Sequence, residues 1–189
     1  LVLDPDHLEA GWQRLPDCPG LPQFDAGVAA AAGKLYRLGG IFAPLNPGDG
    51  LHYFNAVDSW AFDPAAKAWS RLADLPHGCN RRALTFADRY LVLVAGYKYA
   101  QTWYLDGSHP EVYTEPEKAR DWKDFFADTV LVYDTVTRRL GMADPLLEKT
   151  SYPSSAVVGG TLYCLGGEGG PRLWHPATLQ IGKIVGAVP

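Results

Sequence analysis

A glutamate and an arginine held on one glycine-rich turn can move a proton on an acidic ligand, and this chain carries such a pair in Gly166-Gly-Glu-Gly-Gly-Pro-Arg172. A carboxylate can take a proton from a hydroxyl and return it, and a guanidinium can grip a carboxylate through two parallel hydrogen bonds. Glu168 and Arg172 would together suit an acidic sugar. The plainer alternative is a solvated loop glutamate beside a surface arginine. Tyr97 and Tyr99 open a segment crowded with rings, among them Trp103, Tyr104, Tyr113, Trp122, Phe125 and Phe126. They can pack on the scaffold or offer their faces to a sugar. His77, Asn80, Arg81 and Arg82 form a third cluster, which can hydrogen-bond a ligand or be a charged connection between repeats.

Other chemistries find less support. The five histidines, His7, His52, His77, His109 and His175, are scattered without the i, i+4 or His-x-His spacing of a metal site. Cys18, Cys79 and Cys164 cannot all pair within one chain and match no zinc pattern. They read as free thiols, with Cys164 a small buried hydrophobe in a strand and a weak lean toward a reducing compartment. No nucleophile elbow or phosphate-cradling loop is present, and the sequence asks for no cofactor. A net charge of −4 without a basic run offers no phosphate-neutralising surface, so nucleic acid is not an expected partner. No apolar run approaches the roughly 18 residues needed to cross a bilayer, so neither is a membrane.

These residues must be positioned by a repeated strand. Leu162-Tyr-Cys-Leu-Gly-Gly167 is nearly copied in Leu35-Tyr-Arg-Leu-Gly-Gly40, and Leu91-Val-Leu-Val-Ala-Gly96 is a third version lacking the first glycine. Each is preceded by a shorter apolar strand across a tight turn, at Gly33, at Asp88-Arg89 and at Gly159-Gly160. A second kind of hairpin alternates with these. Val57-Asp-Ser-Trp-Ala-Phe-Asp-Pro64 leads to Ala68-Trp-Ser-Arg-Leu72, and Thr129-Val-Leu-Val-Tyr-Asp134 leads to Arg138-Arg-Leu-Gly-Met142. Each repeat is thus expected to be four short antiparallel strands. The repeat glycines Gly40, Gly96 and Gly167 fall 56 and 71 residues apart, and the excess lies in an insertion over 97–128. Within it Thr114 and Glu117 fit a capping box, and Trp122, Phe125 and Phe126 follow a helical period, predicting a short amphipathic helix over 116–126.

A strand ending in Gly39-Gly40, then Phe62-Asp63-Pro64, Trp69 and Leu75-Pro76, resembles the kelch repeat of β-propellers. The resemblance covers nearly the whole chain, with departures in the middle repeat at Val94-Ala-Gly96, Thr135 and Leu140. It implies an all-β, kelch-type β-propeller segment: 1–16 the end of a blade, 24–72 a blade, 82–142 a blade carrying the 97–128 insertion, and 155–184 a partial blade. Two complete four-stranded blades would be flanked by two partial ones, about half of a six-bladed ring. Further blades, from the same or another chain, would be needed to close it.

Connections alternate ends in an antiparallel blade, so those between the second and third strands share a face with the crossovers between blades. That face collects 41–56, 97–128 and 168–176 with 17–24, 77–81 and 148–152, and it is where binding residues are expected. A strand ending in Gly-Glu, an arginine soon after, and a preceding blade whose aromatic insertion leads into Phe125-Phe-Ala-Asp-Thr-Val-Leu-Val-Tyr-Asp134 are similar to the kelch-type N-acetylneuraminate epimerases, the sialic acid mutarotases. The resemblance implies Glu168 as the acid/base that opens and recloses the cyclic hemiketal and Arg172 as the anchor of the sugar carboxylate. The spacing of four between them is shorter than the family pattern, and the resemblance allows a periplasmic or secreted location. Two functions stay open: a binding module holding a carbohydrate or protein partner on its long-loop face, and a mutarotase-like isomerase. His77, Asn80, Arg81, Tyr97 and Tyr99 are the expected ligand contacts, and Glu168 and Arg172 the expected catalytic pair.

Overall fold

The computed structural model describes residues 1–44, 53–78, 80–99, 101–108, 125–169 and 177–185. Three sheets follow one another along the chain. The first is built from β1 (Gln23–Phe24), β2 (Gly27–Ala31), β3 (Lys34–Phe42), β4 (Phe54–Asp63) and β5 (Ala68–Arg71). The second runs β6 (Asn80–Phe86), β7 (Tyr90–Tyr97), β9 (Val130–Asp134), β10 (Arg139–Ala143), with β8 (Thr102–Trp103) lying between β7 and β9 in sequence. The third is β11 (Ser154–Val158), β12 (Thr161–Leu165) and β13 (Leu179–Lys183). Neighbouring strands pair antiparallel throughout, except that β8 leaves the second repeat and pairs in parallel with β4. The chain is all-β in the propeller-like sense of successive antiparallel sheets packed face to face.

Alternation explains the packing. Along β7, Leu91 and Leu93 turn toward the first sheet and join Tyr36, Leu38, Val57, Leu131 and Tyr133. Val92 and Val94 turn the other way, onto Val130, Leu162 and Cys164. A strand buried on both faces must be apolar at every position, and Leu91-Val-Leu-Val-Ala95 is entirely buried. Cys164 is the buried hydrophobe expected, its thiol pushed up by burial, and Cys18 is also a free thiol. The innermost strands meet, β6 lying against β2 and β11. Gly27 makes that crossing close, a Cβ there standing only 3.1 Å from the Arg81 carbonyl oxygen.

The glycine pair of each repeat is a backbone device. Gly39, Ala95 and Gly166 have φ of 55°, 58° and 62°, and the following Gly40, Gly96 and Gly167 have φ of 143°, 125° and 110°. The middle repeat keeps the left-handed conformation after losing its first glycine and places an alanine there at a cost of about 1 kcal/mol. The pair does not end the first strand. The register shifts between Leu38 and Gly40, and β3 then runs on, pairing Ile41 with Asn55 and Phe42 with Phe54. The sequence expectation of a connection over 41–56 is corrected accordingly, the bulge having been mistaken for a stop.

One other expectation changes, and another lies mostly outside the described residues. The two strands expected in 1–16 reduce to a single reciprocal bridge between Val2 and Gln13 around a 3-10 turn over Leu8–Ala10. Most of the helix expected over 116–126 lies outside the described residues, and Phe126 at its end forms a β-bridge with Tyr97. The insertion returns to the first sheet instead, where Trp103 packs edge-on against Phe42 and Phe54 at 5.3 and 5.0 Å.

Candidate functional site

The site is built where chain segments lead into the innermost strands. Asp25 comes just before β2, Asn80 opens β6, and Tyr152 comes just before β11. The Tyr152 hydroxyl donates to Asp25 Oδ2 at 2.9 Å and accepts from Asn80 Nδ2, while Asn80 Oδ1 accepts the backbone N–H of Tyr97. One side-chain chain thus joins all three sheets. Asn80 is 4% exposed, so leaving its amide unpaired would be costly, and both of its ends are occupied. It positions Tyr97 and Tyr152 from beneath the surface.

Asn55 does the same one repeat earlier. Fully buried at the start of β4, it accepts the Tyr99 N–H on Oδ1 at 2.8 Å and donates Nδ2 to the carbonyls of Tyr99 and Gln101. The backbone of Gly78 lies so close that a Cβ there would meet the Asn55 Cβ at 2.2 Å. Two buried asparagines therefore pin the tyrosine segment of the insertion from both sides.

The rings so held make a continuous row. Phe24 meets Tyr53 at 5.8 Å, Tyr53 meets Tyr99 at 5.5 Å, Tyr99 meets Tyr97 at 5.0 Å, and Tyr97 stacks on Phe125 at 5.8 Å. Phe24, Tyr53 and Tyr152 expose much of their surface. Burial first, then the neighbouring Tyr97 and Tyr53 and the charges of Asp25 and Glu168, push the Tyr99 hydroxyl up to about 12. Burial and the Asp25 hydrogen bond raise Tyr152 as well. Both tyrosines are neutral hydrogen-bonding groups at pH 7.

Glu168 is fixed by its backbone. Its N–H donates to the Ser151 carbonyl at 2.7 Å and its carbonyl accepts the Ser151 N–H at 2.8 Å. Gly167 must be glycine for this bridge, since a Cβ would stand 2.2 Å from Thr150 Oγ1. The side chain is partly exposed, close enough to Tyr99 to act on its ionisation. Arg172 lies outside the described residues. His77 is exposed on the segment leading to β6. Arg81 differs from expectation: it is 3% exposed and its Nη1 donates to the Ala95 and Thr129 carbonyls and to Thr129 Oγ1, clamping β7 to the start of β9. Its neighbour Arg82 is the exposed one, with its guanidinium 5.7 Å over the Tyr152 ring.

Asp25 and Tyr152 had no role in the sequence reading. A signal for them exists: Asp25, Asn80 and Tyr152 precede the second glycine of their repeats by 15, 16 and 15 residues. The odd residue lies in the hairpin turn, where three residues, 87–89, join β6 to β7 and only two join β2 to β3 and β11 to β12. Aligned on their glycines, the repeats place three polar groups at one height.

Against known proteins, the fold is that of the solved structure of YjhT, which overlays 93% of this chain and 52% of that one with a TM-score of 0.68 and 19% identity. The class is therefore a propeller-like all-β fold. In sequence the chain is similar to N-acetylneuraminate epimerases of Yersinia, 34% identical over 95 residues to that of Yersinia enterocolitica serotype O:8 / biotype 1B and 38% identical to that of Yersinia pestis (strain Pestoides F). The resemblance drawn from the repeats is shown by these matches. Each takes in 50% of this chain and 24% of the relative, and the chain spans about half of the YjhT chain. No family model matches the chain.

Proposed function

We propose that the chain is part of an isomerase that interconverts the anomers of N-acetylneuraminate, with Glu168 as acid/base and Arg172 as anchor of the sugar carboxylate. The similarity to N-acetylneuraminate epimerases over half of the chain carries this reading. The chemistry is a hemiketal opening. The anomeric hydroxyl loses a proton, the bond from the anomeric carbon to the ring oxygen breaks, and the ring oxygen gains a proton. The open ketone turns and closes on its other face. Glu168 takes the hydroxyl proton and delivers it to the ring oxygen as the ring opens, and the same transfer runs in reverse on closure; the glycines around it let backbone and sugar approach closely. The row from Phe24 to Tyr97 supplies an apolar surface for a sugar face, and Tyr99, neutral at pH 7, adds a hydrogen bond without a charge that would repel the sugar acid.

In this reading the chain supplies about half of a six-bladed ring, two four-stranded blades over 24–72 and 82–142 with partial blades at each side, and further blades from the same or another chain complete the pocket. Anomer exchange of N-acetylneuraminate, followed by magnetisation-transfer NMR with the full-length protein, tests it. Acceleration is expected, with Glu168→Gln reducing kcat by at least about 100-fold, the scale of a lost acid/base. No acceleration, or acceleration untouched by Glu168→Gln, sinks the proposal. Binding of a carbohydrate or protein without exchange would instead establish the non-catalytic module.

A further inference from the structure

The acid/base reading leaves unused the pair that ties the three sheets together. Asp25 and Tyr152 come from repeats more than a hundred residues apart, and both hold φ of 51°. That left-handed conformation is unfavourable for any residue with a Cβ and more so for a bulky ring, and such strain persists where the surroundings impose it, often at sites of function. Here it turns the two side chains to face each other across the mouth of the innermost strands, on an exposed surface.

Their hydrogen-bonding capacity is only partly spent. A phenol has one donor and two lone pairs. Tyr152 gives its proton to Asp25 Oδ2 and receives one from Asn80, which leaves a lone pair. Among the described residues Asp25 Oδ1 has no hydrogen-bond partner. Arg82 lies over the same ring and brings donors. Asp25 and Glu168 both act on Tyr99, so the pair and the acid/base share one small region.

We propose that Asp25 and Tyr152 form a diol subsite beside Glu168. Asp25 Oδ1 accepts from one sugar hydroxyl, the remaining Tyr152 lone pair accepts from its neighbour, and Arg82 donates back to a hydroxyl oxygen of the same pair. Two fixed acceptors and a cationic donor match vicinal hydroxyls better than they match a second carboxylate, which Asp25 would repel. The subsite rests on the reading above only in taking a sugar as ligand. Asn80 is a positioning residue, holding the Tyr152 hydroxyl toward Asp25.

The test uses the full-length protein with N-acetylneuraminate, measuring kcat and KM for anomer exchange and Kd by calorimetry for Asp25→Asn, Tyr152→Phe and Arg82→Gln. Loss of a contact made equally to substrate and transition state raises KM and leaves kcat alone. Asp25→Asn is expected to raise KM and Kd about tenfold and Tyr152→Phe about fivefold, with kcat within about threefold of wild type. Melting curves separate this from a role in folding alone, which would lower stability without moving KM. Asp25→Asn carries the test if Tyr152→Phe does not fold. Exchange with KM and Kd unmoved by Asp25→Asn overturns the subsite and spares the isomerase. Sugar binding that depends on Asp25 but comes with no exchange does the reverse, and no binding by the wild type removes both.

Discussion

The two ends of the sheets use buried polar groups in opposite ways. At the hairpin end polar groups satisfy one another. Asp134 receives Arg89 at 2.9 and 2.5 Å and the Val136 N–H at 2.9 Å, and Asp63 receives the N–H groups of Ala65 and Ala66 and the Lys34 ammonium. At the other end Asn55 and Asn80 satisfy only backbone and one phenol, and beside them Asp25 and Tyr152 are exposed. The first arrangement closes turns; the second holds a surface open. A scaffold that repeats its strands can afford this division, because turn closure and the proposed ligand surface fall on different loops of the same repeat.

Breaking the asparagine anchors should have the largest effect. Asn55→Ala leaves the Tyr99 N–H and carbonyl without their side-chain partner, while the Gln101 carbonyl keeps the backbone N–H of residue 55, and a loss of about 3 kcal/mol in unfolding free energy is expected from urea titration, together with loss of sugar binding. Asn80→Ala should cost less, about 2 kcal/mol, while still freeing Tyr152. If either variant melted like wild type and bound sugar as well, the division between the two ends would be wrong.

The hairpin end offers the complementary break. Arg89 beside Asp134 holds its carboxyl well below the usual carboxylate range. A depressed carboxylate contributes stability that is complete above its unfolded value of 3.8 and is lost as pH falls through the lower folded value. Asp134→Asn should therefore lower the melting temperature at pH 7, and its gap to wild type should narrow as pH drops below 3.8. Sugar binding at pH 7 should be unchanged, which a Kd measurement checks. A pH-independent gap would mean that the Arg89 pair contributes nothing.

The smallest effect is expected at the glycine pair. Ala95→Gly relieves a left-handed alanine and should gain up to about 1 kcal/mol. Gly167→Ala, which forces a Cβ onto Thr150, should destabilise instead. Equal responses in urea would show that the repeats do not share this backbone device.

Much of the fold was legible because strand periodicity and turn chemistry are local. The unbroken apolar run at Leu91–Ala95 suits a strand buried on both faces, and Asp63 and Asp134 announce their turns, the second without a proline because the carboxylate alone caps it. Glu168 could be singled out because it departs from its own repeat. Arg81 could not be told from Arg82, since two adjacent arginines on a strand face opposite ways and the residue type does not say which one is buried.

By itself the sequence determined an all-β chain of repeated antiparallel strands, the likeness to N-acetylneuraminate epimerases, and a glutamate poised after a glycine pair. Only the tertiary structure decided that Asp25, Asn80 and Tyr152 meet, that two asparagines carry the tyrosine row, and that β8 crosses to the first sheet. The physical reason is range. Backbone conformation and burial pattern are set by neighbours a few residues away, whereas these contacts join side chains 72 and 127 residues apart, which meet because the innermost strands of successive sheets converge.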